Sequence, residues 1–198
     1  MKRLLCCALL LLTFLPSPAP ADNKLLQSVR PLYGMRPHYE KGEVSLAVIC
    51  TTTSINQQQG YWLTAAHCID EEVFIEGERV NVIYKDQVLD LAVLRGKRAP
   101  ALKLAKESLK QGDRVWMLGH PLGHEAPQLF RGYVSHPDSI GYMWFDMGVC
   151  GGNSGSSVVN TNNEIVSVMQ VGYGRPCTVL AGGSPWRNLN KWVKRYFQ

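Results

Sequence analysis

The chain has 198 residues, 21 basic against 16 acidic, a formal charge of +5 and a hydrophobic share of 45%. That length supports one well-buried core. The basic side chains are scattered, the nearest cluster being Lys191, Lys194 and Arg195 near the end, so nucleic-acid binding is not expected.

Residues 1–21 read as an export signal. Lys2 and Arg3 open it, residues 4–15 form a 12-residue apolar run, and Ala-Pro-Ala at 19–21 closes it. The run is shorter than the roughly 20 apolar residues that cross a bilayer, and no other stretch approaches that length. A soluble product without a membrane span, secreted or periplasmic, is expected; it keeps 19 basic and 16 acidic residues, a net charge of +3. Of six cysteines, Cys6 and Cys7 fall in the signal, leaving Cys50, Cys68, Cys150 and Cys177. An even number in an exported chain points to two disulfides, in one of three pairings. No Cys-x-x-Cys pair occurs, which argues against structural zinc.

Residues 22–43 form an N-terminal segment set apart from a domain spanning 44–198. From Val44 onward short apolar or alternating runs recur, among them VSLAVICTT, YWLTAAHC, EVFIEG, RVNVIY, LDLAVLR and DRVWMLG, followed by LFRGYVS, YMWFDM, SSVVN, EIVSVMQVG and CTVLAGG. They are rich in Val, Ile, Thr, Tyr and Trp and bounded by Gly, Pro, Asn and Asp, which predicts about eleven strands and an all-β fold of antiparallel barrels or a sandwich. Residues 96–112 interrupt the pattern and read as a linker between two similar lobes of one domain. Thr-Asn-Asn-Glu at 161–164 predicts a hairpin turn. Leu189, Trp192, Val193, Tyr196 and Phe197 fall at i, i+3, i+4, i+7 and i+8, the apolar stripe of a closing helix.

Three side chains stand out against this background. His67 follows an apolar strand, Asp90 interrupts an apolar run, and Ser154 sits in Cys-Gly-Gly-Asn-Ser-Gly-Ser-Ser-Val at 150–158. Taken singly, a histidine at a strand end is a surface residue, an aspartate there is a turn former, and small residues mark a flexible loop. Taken together they suit nucleophilic catalysis. A serine hydroxyl needs a base, imidazole serves near neutral pH, and a carboxylate fixes the ring's tautomer. Glycines at 151, 152 and 155 let backbone N–H groups approach a developing oxyanion and permit positive φ.

TAAHC, DLAVL and GNSGS, in that order, resemble the motifs of chymotrypsin-like (trypsin-fold) serine proteases, over nearly all of the chain from Val44 onward. The resemblance implies two antiparallel six-stranded Greek-key β-barrels with a C-terminal helix and a cleft between the barrels. It implies His67 as general base and acid, Asp90 as its orienting carboxylate, Ser154 as nucleophile, and the N–H groups of Gly152 and Ser154 as oxyanion hole. It also implies the pairings Cys50–Cys68 and Cys150–Cys177. Val171, Gly172 and Tyr173 would pair with substrate backbone. Gly148 would line the specificity pocket where trypsin-like members carry an aspartate, giving an open neutral pocket, although strand alternation could aim Asp146 at the same face.

GNSGS replaces the family's usual GDSGG, and Asn153 cannot form the ion pair with a freshly cut N-terminus that activates digestive members. Asn153 and LGHPLG at 118–123 resemble the HtrA-type members, and the reading expects no PDZ module after the barrels. His120 and His124 have a helical metal spacing, but Pro121 and Gly123 argue against a helix there. No metal or cofactor is implied. The expected partner is a protein or peptide substrate, and the expected state is a monomer. Two rivals stay open: a catalytically inactive binding protein of the same fold, and an HtrA-type quality-control protease lacking PDZ domains.

Overall fold

The computed structural model describes residues 23–38, 43–69, 72–173 and 177–197. The expected export signal at 1–21 and Gly174 lie outside the described residues. A short helix, α1 (Asn23–Ser28), precedes the first lobe, which contains β1 (Val29–His38), β2 (Glu43–Asn56), β3 (Tyr61–Thr64), β4 (Val73–Ile75), β5 (Glu78–Arg79), β6 (Asn81–Asp86) and β7 (Leu91–Arg95). The second lobe contains β8 (Arg114–Gly119), β9 (Gln128–Ser139), β10 (Tyr142–Cys150), β11 (Ser157–Val159), β12 (Ile165–Tyr173) and β13 (Cys177–Gly183), and ends in helix α2 (Trp186–Phe197).

The two-lobed, all-β architecture with a closing helix is as expected. The second lobe is a closed six-stranded barrel in the order β10-β13-β12-β11-β8-β9. The first is a sheet of seven strands rather than six, ordered β5-β4-β1-β2-β3-β7-β6. Beyond the five runs read from the sequence it contains β1, which lies in the segment set apart above, and the two-residue β5. Pro31, Gly34 and Pro37 make β1 read as non-strand. The chain tolerates them because β1 pairs with β4 only at Tyr33 and Gly34, so the prolines face an open edge on that side. A Cβ at Gly34 would lie 2.7 Å from Ile49 Cδ1, the far end of a side chain that could turn aside.

Period-two burial drives the strands. Along β10, Met143, Phe145, Met147 and Val149 are buried, while Asp146 and Gly148 between them face outward. Residues Leu91 to Leu94 of β7 are all buried because the strand has cores on both faces. Ala92 and Leu94 join Leu32, Trp62 and Ile75 inside the first lobe. Leu91 and Val93 join Leu118, Ile165 and Val168 between the lobes, where Leu189, Trp192 and Val193 of α2 also insert. The linker at 96–112 belongs to neither sheet and is hydrogen-bonded to both lobes, through Leu102 N–H to the Ser54 carbonyl (2.9 Å) and Ala105 N–H to the Ile165 carbonyl (2.8 Å). The lobes therefore share a packed seam, and the groups expected to react lie along its edge.

Candidate active site

His67 lies in a 3₁₀ turn, Ala66–Cys68, directly after β3. The disulfide Cys50–Cys68 pins this turn to β2, with Cα atoms 6.1 Å apart. Asp90 closes the turn between β6 and β7. That turn is braced at its start by the Asp86 carboxylate, which accepts the N–H groups of Val88 (3.0 Å) and Leu89 (2.9 Å). Asp90 itself has φ +51°, the left-handed region that non-glycine residues seldom occupy. In that conformation its carboxylate meets one residue twice. Oδ1 accepts the His67 backbone N–H at 2.8 Å, and Oδ2 accepts Nδ1–H of the same residue at 2.7 Å. An ionised carboxylate only accepts, so Nδ1 carries a proton, and in the neutral ring Nε2 keeps the lone pair.

Ser154 sits in the loop 151–156 between β10 and β11. Gly152 (φ +91°) and Gly155 (φ +81°) are both left-handed. A Cβ at Gly152 would stand 2.3 Å from the His120 carbonyl oxygen, and one at Gly155 would stand 2.1 Å from Thr64 Oγ1. Both lobes hold the loop. From the first, Thr51 donates its backbone N–H to the Ser154 carbonyl and its hydroxyl to the Gly152 carbonyl, each at 2.9 Å. From the second, Met169 accepts the Gly155 N–H and donates its own to the Ser156 carbonyl, each at 2.8 Å. The N–H groups of Gly152 and Ser154 donate to no other group among the described residues. Among the same residues no hydrogen bond joins the Ser154 hydroxyl to the His67 ring.

Beneath the loop Asn153 is buried, and its Oδ1 and Ser156 Oγ press on Gly119, where a Cβ would meet them at 2.4 and 2.6 Å. His120 is also buried, with Nδ1 3.1 Å from the His124 carbonyl, and burial lowers its pKa below the ordinary histidine value. His120 thus meets the backbone of His124 rather than its ring. Among the described residues one trio, Cys50, His67 and Cys68, gathers ligand atoms within 4.8 Å of one another, but both sulfurs are spent in a disulfide.

A cavity of about 200 Å³ opens beside Ser154, walled by Val149, Met169, Val171, Gly172 and Thr178. The second disulfide, Cys150–Cys177, joins the ends of β10 and β13 next to it, with Cα atoms 4.3 Å apart. Val171 and Gly172 line the cavity. Gly148 does not; it lies on the exposed face of β10, and Val149, next to it on the buried face, lines the cavity instead. Asp146 is likewise exposed on the outer surface, paired with Tyr133 and Leu180. The backbone of Tyr173 pairs with Leu180 of β13. Sequence reasoning passed over Thr51, Val149, Thr178 and Gln170. Of these Gln170 left the clearest trace, a polar residue inside the apolar run of β12, the same signal that marked Asp90.

A family model described as trypsin-like peptidase domain matches residues 50–168. The chain is 26% identical over 147 residues to the serine endoprotease DegS of Haemophilus influenzae, covering 65% of this chain and 43% of that protein. It is 29% identical over 131 residues to a probable periplasmic serine endoprotease, DegP-like, of Pseudomonas putida, covering 58% of this chain and 27% of that protein. The chain thus spans less than half the length of these curated relatives. Among solved structures, the serine endoprotease from Yersinia pestis superposes with a TM-score of 0.72 at 20% identity, over 91% of this chain and 67% of that one.

Proposed function

The chain belongs to the family of trypsin-like peptidase domains, and from that premise we propose that it is a serine endopeptidase in which Ser154, His67 and Asp90 cut peptide bonds through an acyl-enzyme. The observation that carries this reading is the double hold of His67 on Asp90, at 2.7 and 2.8 Å, beside a loop whose Gly152 and Ser154 N–H groups are uncommitted. Ser154 Oγ attacks the substrate carbonyl as His67 Nε2 takes its proton. Asp90 stabilises the imidazolium, and the two N–H groups receive the oxyanion. Collapse expels the amine, which takes the proton from His67, and water then releases the acyl group by the same steps in reverse order of roles.

The substrate strand lies along β12. That strand pairs with β11 only as far as Val168 and with β13 on its other side, so the edge at 171–173 is open towards the cleft. An added peptide strand fits such an edge. The side chain before the cut bond enters the cavity of about 200 Å³, whose walls at Val149, Gly172 and Thr178 bear no charge. Two disulfides and a relative whose name includes "periplasmic" support export as the setting. A fluorophosphonate probe tests the proposal. Labelling and peptide hydrolysis are expected in the wild type and absent in Ser154→Ala. A wild type that takes no label, or a Ser154→Ala variant that keeps cutting, overturns it; the first outcome leaves a binding protein of this fold.

A further inference from the structure

Residues 169 and 170 of β12 reach the two halves of the site in succession. Met169 is bonded through both its N–H and its carbonyl to the loop of Ser154, at 2.8 Å each. Gln170, the next residue, points the other way. Its Nε2 donates to the Leu89 carbonyl at 2.7 Å and to the Asp90 carbonyl at 3.0 Å. Both partners are carbonyls, which only accept, so the amide orientation is dictated by them. Gln170 is buried, and it holds across the seam the turn that Asp86 braces from the other end. The residue so held is the one at φ +51°. A non-glycine residue keeps that conformation when its surroundings over-determine it. A peptide plane released at Asp90 would swing the carboxylate away from His67.

We infer that Gln170 is a positioning residue, which fixes the Asp90–His67 pair relative to Ser154 by clamping the backbone of the Asp90 turn. β12 thereby serves as one ruler for both halves of the site. The inference rests on the peptidase reading above and adds to it a residue that lines the cavity beside Ser154 while its Nε2 acts through the backbone of the Asp90 turn.

The test uses Gln170→Met, of similar length but without a donor, in the full chain. The expected result is a fall in kcat of about ten- to a hundredfold, the scale of a displacement of roughly 1 Å at a reacting centre, with KM within about twofold. The far-downfield proton resonance of the Nδ1–H to Asp90 hydrogen bond should weaken or vanish. A lobe tie without a positioning role would lower the unfolding midpoint and leave kcat and the resonance unmoved, which overturns the inference. If the Met variant does not fold, Gln170→Ser carries the same measurements. The resonance needs no turnover, so a wild type without activity sinks the peptidase reading while this inference is still judged by the proton signal.

Discussion

Asp90 takes both of its carboxylate hydrogen bonds from His67, one from the backbone N–H at 2.8 Å and one from Nδ1 at 2.7 Å. Two donors on one residue require two acceptors opposite. An amide at this place would turn its own NH₂ against one of them and favour the wrong ring tautomer. Asp90→Asn is therefore expected to lower kcat by on the order of 10⁴, with little change in KM. Steady-state kinetics on a peptide ester checks it, and activity within tenfold of wild type would remove Asp90 from its assigned role.

Gly155 is hemmed in by backbone. Besides Thr64 Oγ1, an added Cβ would meet the Thr51 carbonyl oxygen at 2.3 Å, at a φ of +81°. Neither the strain nor the clash can be relieved by turning a single side chain. Gly155→Ala should cost about 2–4 kcal/mol of folding stability. Urea unfolding measures this, and an unchanged midpoint would mean that the loop is not held as described.

The cavity beside Ser154 predicts the residue cut after. Its uncharged walls at Val149, Gly172 and Thr178 suit Ala, Val or Thr. A peptide panel should favour these over Lys, Arg and Trp by about tenfold or more in kcat/KM. Thr178→Asp should shift the preference towards Lys and Arg. Cleavage chiefly after basic residues by the wild type would contradict the pocket assignment.

His120 makes stability depend on pH. Burial, with Arg30 adding to it, outweighs the backbone carbonyls of His124 and Glu125 and lowers its pKa in the folded state. The unfolded chain takes up a proton near the ordinary value of about 6.5 and the folded chain only below that. The contribution is therefore fully present above the unfolded pKa and is lost as pH falls towards the folded one. Unfolding free energies measured from pH 7.5 to 5 should decline more steeply for the wild type than for His120→Phe. Parallel profiles would show that His120 does not titrate differently in the two states.

Much of this was legible along the chain. Each of the eleven runs from Val44 onward falls on a strand, because period-two burial and β-branched composition are local signals. The helix stripe from Leu189 to Phe197 was equally visible, and Leu189, Trp192 and Val193 are buried as it required. β1 escaped because its prolines carry the mark of a break, and only the pairing pattern reveals that they face an open edge. Gly148 was placed at the cavity by its distance from Cys150, whereas the unbroken alternation along β10 turns Gly148 outward and Val149 inward. Gln170 escaped for a different reason: it binds carbonyls, and a carbonyl has no letter in the sequence.

The position of β1 bears on how such a protein could be matured. It lies between β4 and β2, paired with β2 from Val29↔Thr53 to His38↔Glu43. Residues 29–38 are thus an interior plank of the first lobe rather than a detachable cover. A processing step that discarded them would strip β2 of the neighbour it pairs with from Val29 to His38, so trimming past Val29 is expected to destabilise the first lobe.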